Sequence, residues 1–445
     1  MKNIILSIII IMSIASCKQK EKEFTRIAGK LENIQTDSIY LIKDNYRKAI
    51  AVTNNEFSDT LNLNHASYLT LKMGNESTQI FLHPSDSLYV TVNGEQFDES
   101  VKYDGNSAAE NNYLAADYLA EEQAMQDPKA FFSMDPVAFK QKLKELRDAS
   151  NQLLDQSQSS AIFKEYQKKN NEARYLSALI QYPEAYQYFA GQPVNLPSDF
   201  TEEFETYDFE NETDFINIPN YKELVLMRLS ELIEGIAHSE GKETLIGKIQ
   251  SQKIKDAFLK GMIYQITSTN PDSKAIQDLI VKHSKDQDLV KKAQDKYNTI
   301  QAILPGKPSP TFDYPDINGK HVKLEDLKGK LIYVDVWATW CGPCIREIPS
   351  LKQLEADYHG KPVQVVSISI DVKRDFEKWE NMVKEKDLKG IQLFADNDWK
   401  SDFVQSYAID GIPRFILIDQ NGNILDSDAP RPSDPEIRTL IDANL

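Results

Sequence analysis

The sequence predicts a multidomain chain, with an antiparallel β domain first, an α-helical region in the middle and a two-sided α/β domain at the C-terminus. Residues 24–106 carry short runs rich in β-branched and aromatic residues, punctuated by Asn, Asp, Gly and Pro. Residues 107–300 place apolar side chains three and four apart, the helical period. Residues 305–445 alternate strand-like and helix-like segments, a pattern that requires a sheet covered on both faces. A length of 445 residues suits two to three such domains.

Residues 1–16 read as an export signal. Met1-Lys2-Asn3 is a short basic start, and Ile4 to Ile14 is an apolar run of 11 residues, too short to span a bilayer. Ile14-Ala15-Ser16-Cys17 resembles a bacterial lipobox, which implies cleavage before Cys17 and lipidation of its sulfur. The competing reading is an ordinary signal cleaved near Ala15. A lipidated Cys17 would anchor the chain to a membrane, each buried methylene adding about 0.8 kcal/mol, with 17–23 as a solvated, lipid-anchored tether. Net charge is −17, which argues against nucleic acid as a partner.

In the β region, Ser38 to Ile42, Tyr68 to Leu71, Gln79 to Leu82 and Ser87 to Val92 read as strands. The layout from Phe24-x-x-x-x-Gly29 through His83-Pro84-Ser85-Asp86 to Tyr103-Asp104-Gly105-Asn106 resembles an uncharacterised β domain found before thioredoxin modules in some bacterial lipoproteins. That resemblance implies no activity. In the helical region, Phe139, Leu143 and Leu146 share one face, and so do Tyr221, Leu224, Val225, Leu232 and Ile236. Pro193 to Asp214 reads as an acidic loop. The Tyr and Phe residues around 182–215 suit either a partner surface or core packing. Pro305-Gly306-Lys307-Pro308-Ser309-Pro310 reads as a stiff linker or domain entrance.

The α/β region reads as a hairpin-like start (312–322), strand 331–336, helix 343–357, strand 363–370, helix 373–386, strand 391–395, helix 399–406, strand 414–418, an Asn421-Gly422 turn, strand 423–427 and helix 434–443. Between its first long strand and the following helix stands Trp340-Cys341-Gly342-Pro343-Cys344. A C-x-x-C pair at a helix start places a thiolate where free N–H groups and the helix dipole stabilise it, with a second thiol one turn away. With Cys17, these are the only three cysteines, too few for a disulfide scaffold, and the six histidines are scattered singly, so no metal site is expected. A static disulfide or two inert thiols is the bland alternative.

The stretch from Gly306 to Leu445 resembles the TlpA/ResA-like thiol–disulfide oxidoreductases of the thioredoxin family. The resemblance rests on Gly306-x-x-Ser309-Pro310-x-Phe312, Gly319-Lys320, Leu327 to Lys330, the Trp337-to-Cys344 signature, Pro349, and Gly411-Ile412-Pro413. It implies a thioredoxin fold with no cofactor, and a cis Ile412–Pro413 bond facing the dithiol. On chemistry, Cys341 at an exposed helix edge is the expected nucleophile, and Cys344, buried, resolves the mixed disulfide. Gly342-Pro343 keeps the active-site turn tight, Trp340 covers the site, and Ile412 and Pro413 bind substrate. Asp335, in an apolar strand six residues before Cys341, is expected to be buried, raised in pKa and able to relay a proton. Alternation could instead point it outward. Ser367 stands where thioredoxin has a lysine. Glu347 is either an active-site acid or a solvated helix charge.

These readings predict a lipid-anchored enzyme of the cell envelope, facing the periplasm, that reduces or exchanges disulfides of exported proteins. Its electrons would come from a membrane or periplasmic donor. A partner-binding lipoprotein with a redox-regulated domain is the alternative. A thiol peroxidase would need Pro and Thr seven and three residues before the reactive cysteine, where Val334 and Ala338 stand.

Overall fold

The computed structural model describes residues 24–44 and 46–445; the export signal, Cys17 and the tether lie outside the described residues. By internal contacts the chain divides into two bodies, one ending at Gly235 and one running from Ile236 to Leu445.

The first body is built on eight strands: β1 (Thr25–Glu32), β2 (Ser38–Lys43), β3 (Tyr46–Thr53), β4 (Glu56–Leu61), β5 (Ser67–Met73), β6 (Glu76–Leu82), β7 (Ser87–Asn93) and β8 (Lys102–Gly105). Their order is β6-β5-β2-β3-β4-β1-β7-β8. The sheet is not wholly antiparallel as expected: β1 runs parallel to β7, because the chain returns beside its first strand only after β2 to β6 are laid down. Gly29 sits in that parallel pair. A Cβ there would lie 2.4 Å from the Val90 carbonyl oxygen and 2.6 Å from the Phe57 ring, so the sheet closes up only over glycine.

One face of the sheet carries the core, with Ile27, Leu31, Leu41, Leu71, Ile80 and Val90 buried together. At β5 and β6 the opposite face is covered as well, where Tyr68 and Phe81 pack with Tyr113, Leu154 and Phe163 from the helices. The helix Ala108–Ala124 also deals with both edges of the sheet. The Asn111 amide accepts from the Phe81 N–H at 2.8 Å and donates to the Phe81 carbonyl at 2.9 Å, on edge strand β6. Its neighbour Asn112 does the same to Tyr103, at 3.1 and 2.8 Å, on edge strand β8. Two consecutive side chains thus satisfy backbone groups that an open sheet leaves bare, and the edges they join are the first and last strands of the order.

The helix Ala161–Ala190 packs against both Pro136–Gln156 and Pro219–Glu234. Phe139 and Leu143 are buried and Leu146 half-buried, as the spacing predicts. On Pro219–Glu234 the buried face is Tyr221, Leu224, Val225 and Ile233; Leu232 turns out to be 37% exposed, because the helix ends there and its last turn rotates Ile233 inward instead. Tyr182, Phe200, Phe204 and Phe215 of the aromatic-rich stretch are buried in packing, while Tyr188 is 81% exposed. The expected loop at 193–214 contains a 3-10 turn, Glu202–Glu205, and the start of a short helix, Glu212–Asn217, capped by Asn211.

The second body begins with four helices, Ser239–Lys248, Gln252–Met262, Ser273–His283 and Gln287–Ala302. The helical stretch 107–300 is therefore shared between the two bodies. Residues 305–310 are not a free linker: the Gly306 N–H donates to the Ile424 carbonyl at 2.7 Å and the Ser309 N–H to the Gly422 carbonyl at 2.9 Å, so the prolines hold an extended segment against a strand. The hairpin of β9 (Asp313–Pro315) and β10 (His321–Lys323) follows.

The α/β sheet comprises β11 (Leu331–Trp337), β12 (Val363–Ser369), β13 (Ile391–Phe394), β14 (Arg414–Ile418) and β15 (Ile424–Asp426), in the order β13-β12-β11-β14-β15. β11 runs parallel to β12 and antiparallel to β14. All seven residues of this central strand are buried. On one face, Leu331 and Tyr333 pack under Leu351 and Leu354 of the helix Gly342–Asp357 and under Ile437 and Ile441 of the last helix, Glu436–Asp442. The predicted turn at Asn421-Gly422 is present, with Gly422 at φ +89°.

Candidate active site

The dithiol lies where the central strand stops. β11 ends at Trp337, and the next four residues turn the chain into the helix Gly342–Asp357, with Cys341 as its N-cap. The Cys341 N–H donates to the Ala338 carbonyl, and the Ile345 N–H to the Cys341 carbonyl, which starts the helical ladder. Pro343 occupies the first turn, where no N–H is needed. The Cys344 N–H donates to Cys341 Sγ at 3.1 Å, the capping contact a serine hydroxyl usually makes. Sulfur in that place faces the positive end of the helix dipole, the setting that favours thiolate over thiol. The two sulfurs are joined as a disulfide, with Cα atoms 5.3 Å apart.

Burial does not separate the two cysteines as expected. Cys341 and Cys344 are each 4% exposed. What distinguishes them is position: Cys341 caps the helix, and Cys344 belongs to it. Gly342 has open space where a Cβ would stand, its nearest neighbour being Arg346 Nη1 at 3.7 Å, so sterics do not demand glycine there. Trp340 is 51% exposed beside the site, and its ring lies 6.3 Å from that of Trp399.

Asp335 points inward. It stands two residues from Tyr333 on β11 and so shares its face, the side covered by the dithiol helix. It is 8% exposed, and its hydrogen-bond partner is the Ser367 hydroxyl, which donates to Oδ2 at 3.3 Å from the neighbouring position on β12. Burial pushes its carboxyl up to about 7; the Ser367 bond opposes this, while the charges of Glu347 and Glu355 on the facing helix add to it. The outward alternative is thereby excluded, and Ser367 offers the carboxyl a neutral hydroxyl rather than a positive charge.

Three contacts escaped the reading of the sequence. Asp371, fully buried just beyond β12, accepts from the Thr339 N–H at 2.9 Å, the Thr339 hydroxyl at 2.7 Å and the Ser369 hydroxyl at 2.8 Å. It therefore staples the turn that delivers Cys341 to the neighbouring strand. Trp399 provides the second ring beside Trp340. Glu347 is neither a free surface charge nor turned to the sulfurs: its carboxylate accepts from the Ser433 N–H at 3.1 Å and the Ser433 hydroxyl at 2.9 Å. The Ile412–Pro413 peptide is cis, and the Val336–Arg414 pairing sets this loop beside the end of β11.

Elsewhere, Ser160 Oγ lies 3.1 Å from His83 Nε2, with Glu110 at 3.6 Å from the same nitrogen. Hydroxyl and carboxylate compete for one ring atom, and Ser160 caps the helix Ala161–Ala190, so no relay of nucleophile, base and orienter exists there. Among the described residues no group of His, Cys, Asp and Glu is arranged to hold a metal ion, and no helix is long and apolar enough to cross a membrane.

Comparison with known proteins falls on this same region. The Redoxin family model matches residues 304–441. The thiol-disulfide oxidoreductase ResA of Bacillus cereus is 34% identical over 121 residues, covering 27% of this chain and 67% of that protein. ResA of Bacillus subtilis is 26% identical over 133 residues, covering 29% and 72%. Among solved structures, a Bacteroides vulgatus protein assigned as a thiol-disulfide oxidoreductase is 40% identical, covering 32% of this chain and 98% of that one, with a TM-score of 0.30. The matched part of this chain spans about two thirds of the length of the first of these curated relatives.

Proposed function

This chain belongs to the TlpA/ResA-like thiol–disulfide oxidoreductases of the thioredoxin family, and from that premise we propose that it reduces or exchanges disulfides of exported proteins through Cys341 and Cys344. The observation that carries the reading is the N-cap sulfur: Cys341 Sγ accepts the Cys344 N–H at 3.1 Å at the positive end of a helix. In the reduced enzyme the Cys341 thiolate attacks one sulfur of a substrate disulfide; a mixed disulfide forms and the first substrate thiolate leaves. Cys344 then loses its proton and attacks Cys341 Sγ, the second substrate thiolate leaves, and the Cys341–Cys344 disulfide forms. Two electrons pass to the substrate, and a thiol donor in the membrane or periplasm must return them.

Asp335 is the proton carrier of this cycle. A carboxyl near neutrality both takes and gives a proton at working pH, and it lies under the helix that carries Cys344. Trp340, Ile412 and Pro413 receive the substrate segment, and Gly342-Pro343 forms the turn between the sulfurs. We place the protein at the cell envelope, lipid-anchored through Cys17 and facing the periplasm, on the strength of the apolar run and the Ile14-Ala15-Ser16-Cys17 ending.

Insulin reduction by the wild type and by Cys341→Ser tests the exchange chemistry. Activity in the wild type that falls to background in the variant is expected. An inert wild type would favour the alternative, a binding lipoprotein whose dithiol acts as a regulatory latch.

A further inference from the structure

The helices that open the second body reach the loop beside the dithiol. Lys296, on Gln287–Ala302, donates from Nζ to Asp410 Oδ2 at 2.7 Å. The lysine side chain is only 16% exposed, and its charge also lies 5.6 Å from the centre of the Tyr264 ring. Asp410 begins the run Asp410-Gly411-Ile412-Pro413 that leads into β14. Upstream the backbone is held by the Ile409 N–H to the Val404 carbonyl at 3.0 Å, and downstream by the pairing of Arg414 with Val336. Between those two points Lys296 supplies a side-chain tether. Tyr264, next to it, is 67% exposed although its ring lies beside this half-buried cation.

Resting on the exchange reading above, we propose that Lys296 is a positioning residue for the substrate loop, and that with Tyr264 it extends the substrate surface onto the helices. The substrate class this favours is a disulfide carried on a polypeptide. A small-molecule disulfide needs only the sulfur and the loop next to it. A polypeptide must lie along Asp410 to Pro413, so it senses both how firmly the loop is held and what stands beside it. An exposed tyrosine with an apolar body and a polar tip is the kind of residue that contributes most at protein interfaces.

The test compares two substrates in the full chain, insulin and 5,5′-dithiobis(2-nitrobenzoic acid), for wild type, Lys296→Met, Lys296→Arg and Tyr264→Ala. The ratio of kcat/KM for insulin to that for the small disulfide is expected to fall about fivefold in Lys296→Met, mainly through the KM for insulin, and about threefold in Tyr264→Ala. Lys296→Arg keeps the ion pair and is expected to recover most of the ratio. A ratio within about twofold of wild type in both Lys296→Met and Tyr264→Ala, or an equal loss on both substrates, would overturn the proposal. A wild type inert toward both substrates would instead sink the exchange reading, and this inference with it.

Discussion

Two buried polar groups, one in each body, are satisfied to opposite degrees. In the eight-stranded sheet the buried amide of Asn111 makes three hydrogen bonds, to the Phe81 N–H, the Phe81 carbonyl and the Ser107 carbonyl. In the five-stranded sheet the buried carboxyl of Asp335 has one bond, at 3.3 Å, and two acidic neighbours on the facing helix. A fully paired buried group holds structure together; an under-paired one stays free to change its protonation state. The contrast separates a group that holds a framework from a group placed for chemistry; Asp371, with three bonds, is a framework group within the second body.

The largest expected effect is on pH-dependent stability. Because burial raises the Asp335 carboxyl from 3.8 to about 7, the native state binds that proton more tightly than the unfolded chain. The stability this lends the protonated form is whole below pH 3.8 and is lost as pH rises through about 7, a total of about 4 kcal/mol. Denaturant unfolding across that range should show stability falling by about 4 kcal/mol more in the wild type than in Asp335→Asn. An unchanged slope in the variant would place the proton elsewhere.

Next in size, Asn111→Ala should cost about 3 kcal/mol, since it strands buried backbone groups of β6. The redox midpoint of Cys341–Cys344 should stay where it is. A shifted midpoint would break the separation between framework and chemistry. Smaller again, Asp335→Asn should slow resolution of the mixed disulfide by about tenfold while sparing the initial attack. Single-turnover kinetics that show equal loss in both steps, or none, would remove the relay role. The smallest effect belongs to Ser367→Ala, which deletes the bond that lowers the Asp335 pKa and should raise its midpoint by less than about one unit.

Local patterns carried much of this. The strand before Cys341, the capping position of that cysteine and the burial of Asp335 all follow from residues close together in the chain, and each is visible as spacing. The strands β2, β5, β6 and β7 are apolar enough to read directly. By contrast β3 (YRKAIAVT) and β4 (EFSDTL) are half-exposed, and their polar faces hide the alternation. The parallel β1–β7 pair joins residues some sixty positions apart and has no local signature. The same reason hid Asp371, Trp399 and Lys296: a lone Asp, Trp or Lys in a sequence does not announce the distant partner it finds. Cys341 was expected to be exposed at the N-terminal edge of its helix, and its burial depends on tertiary packing that spacing does not show.

The Asn111–Asn112 pair has a consequence for how the first body meets other chains. A bare strand edge presents unpaired backbone, which invites another extended segment to add on and aggregate. By covering β6 and β8 with two amides from one helix, the first body limits that route at both ends of its sheet.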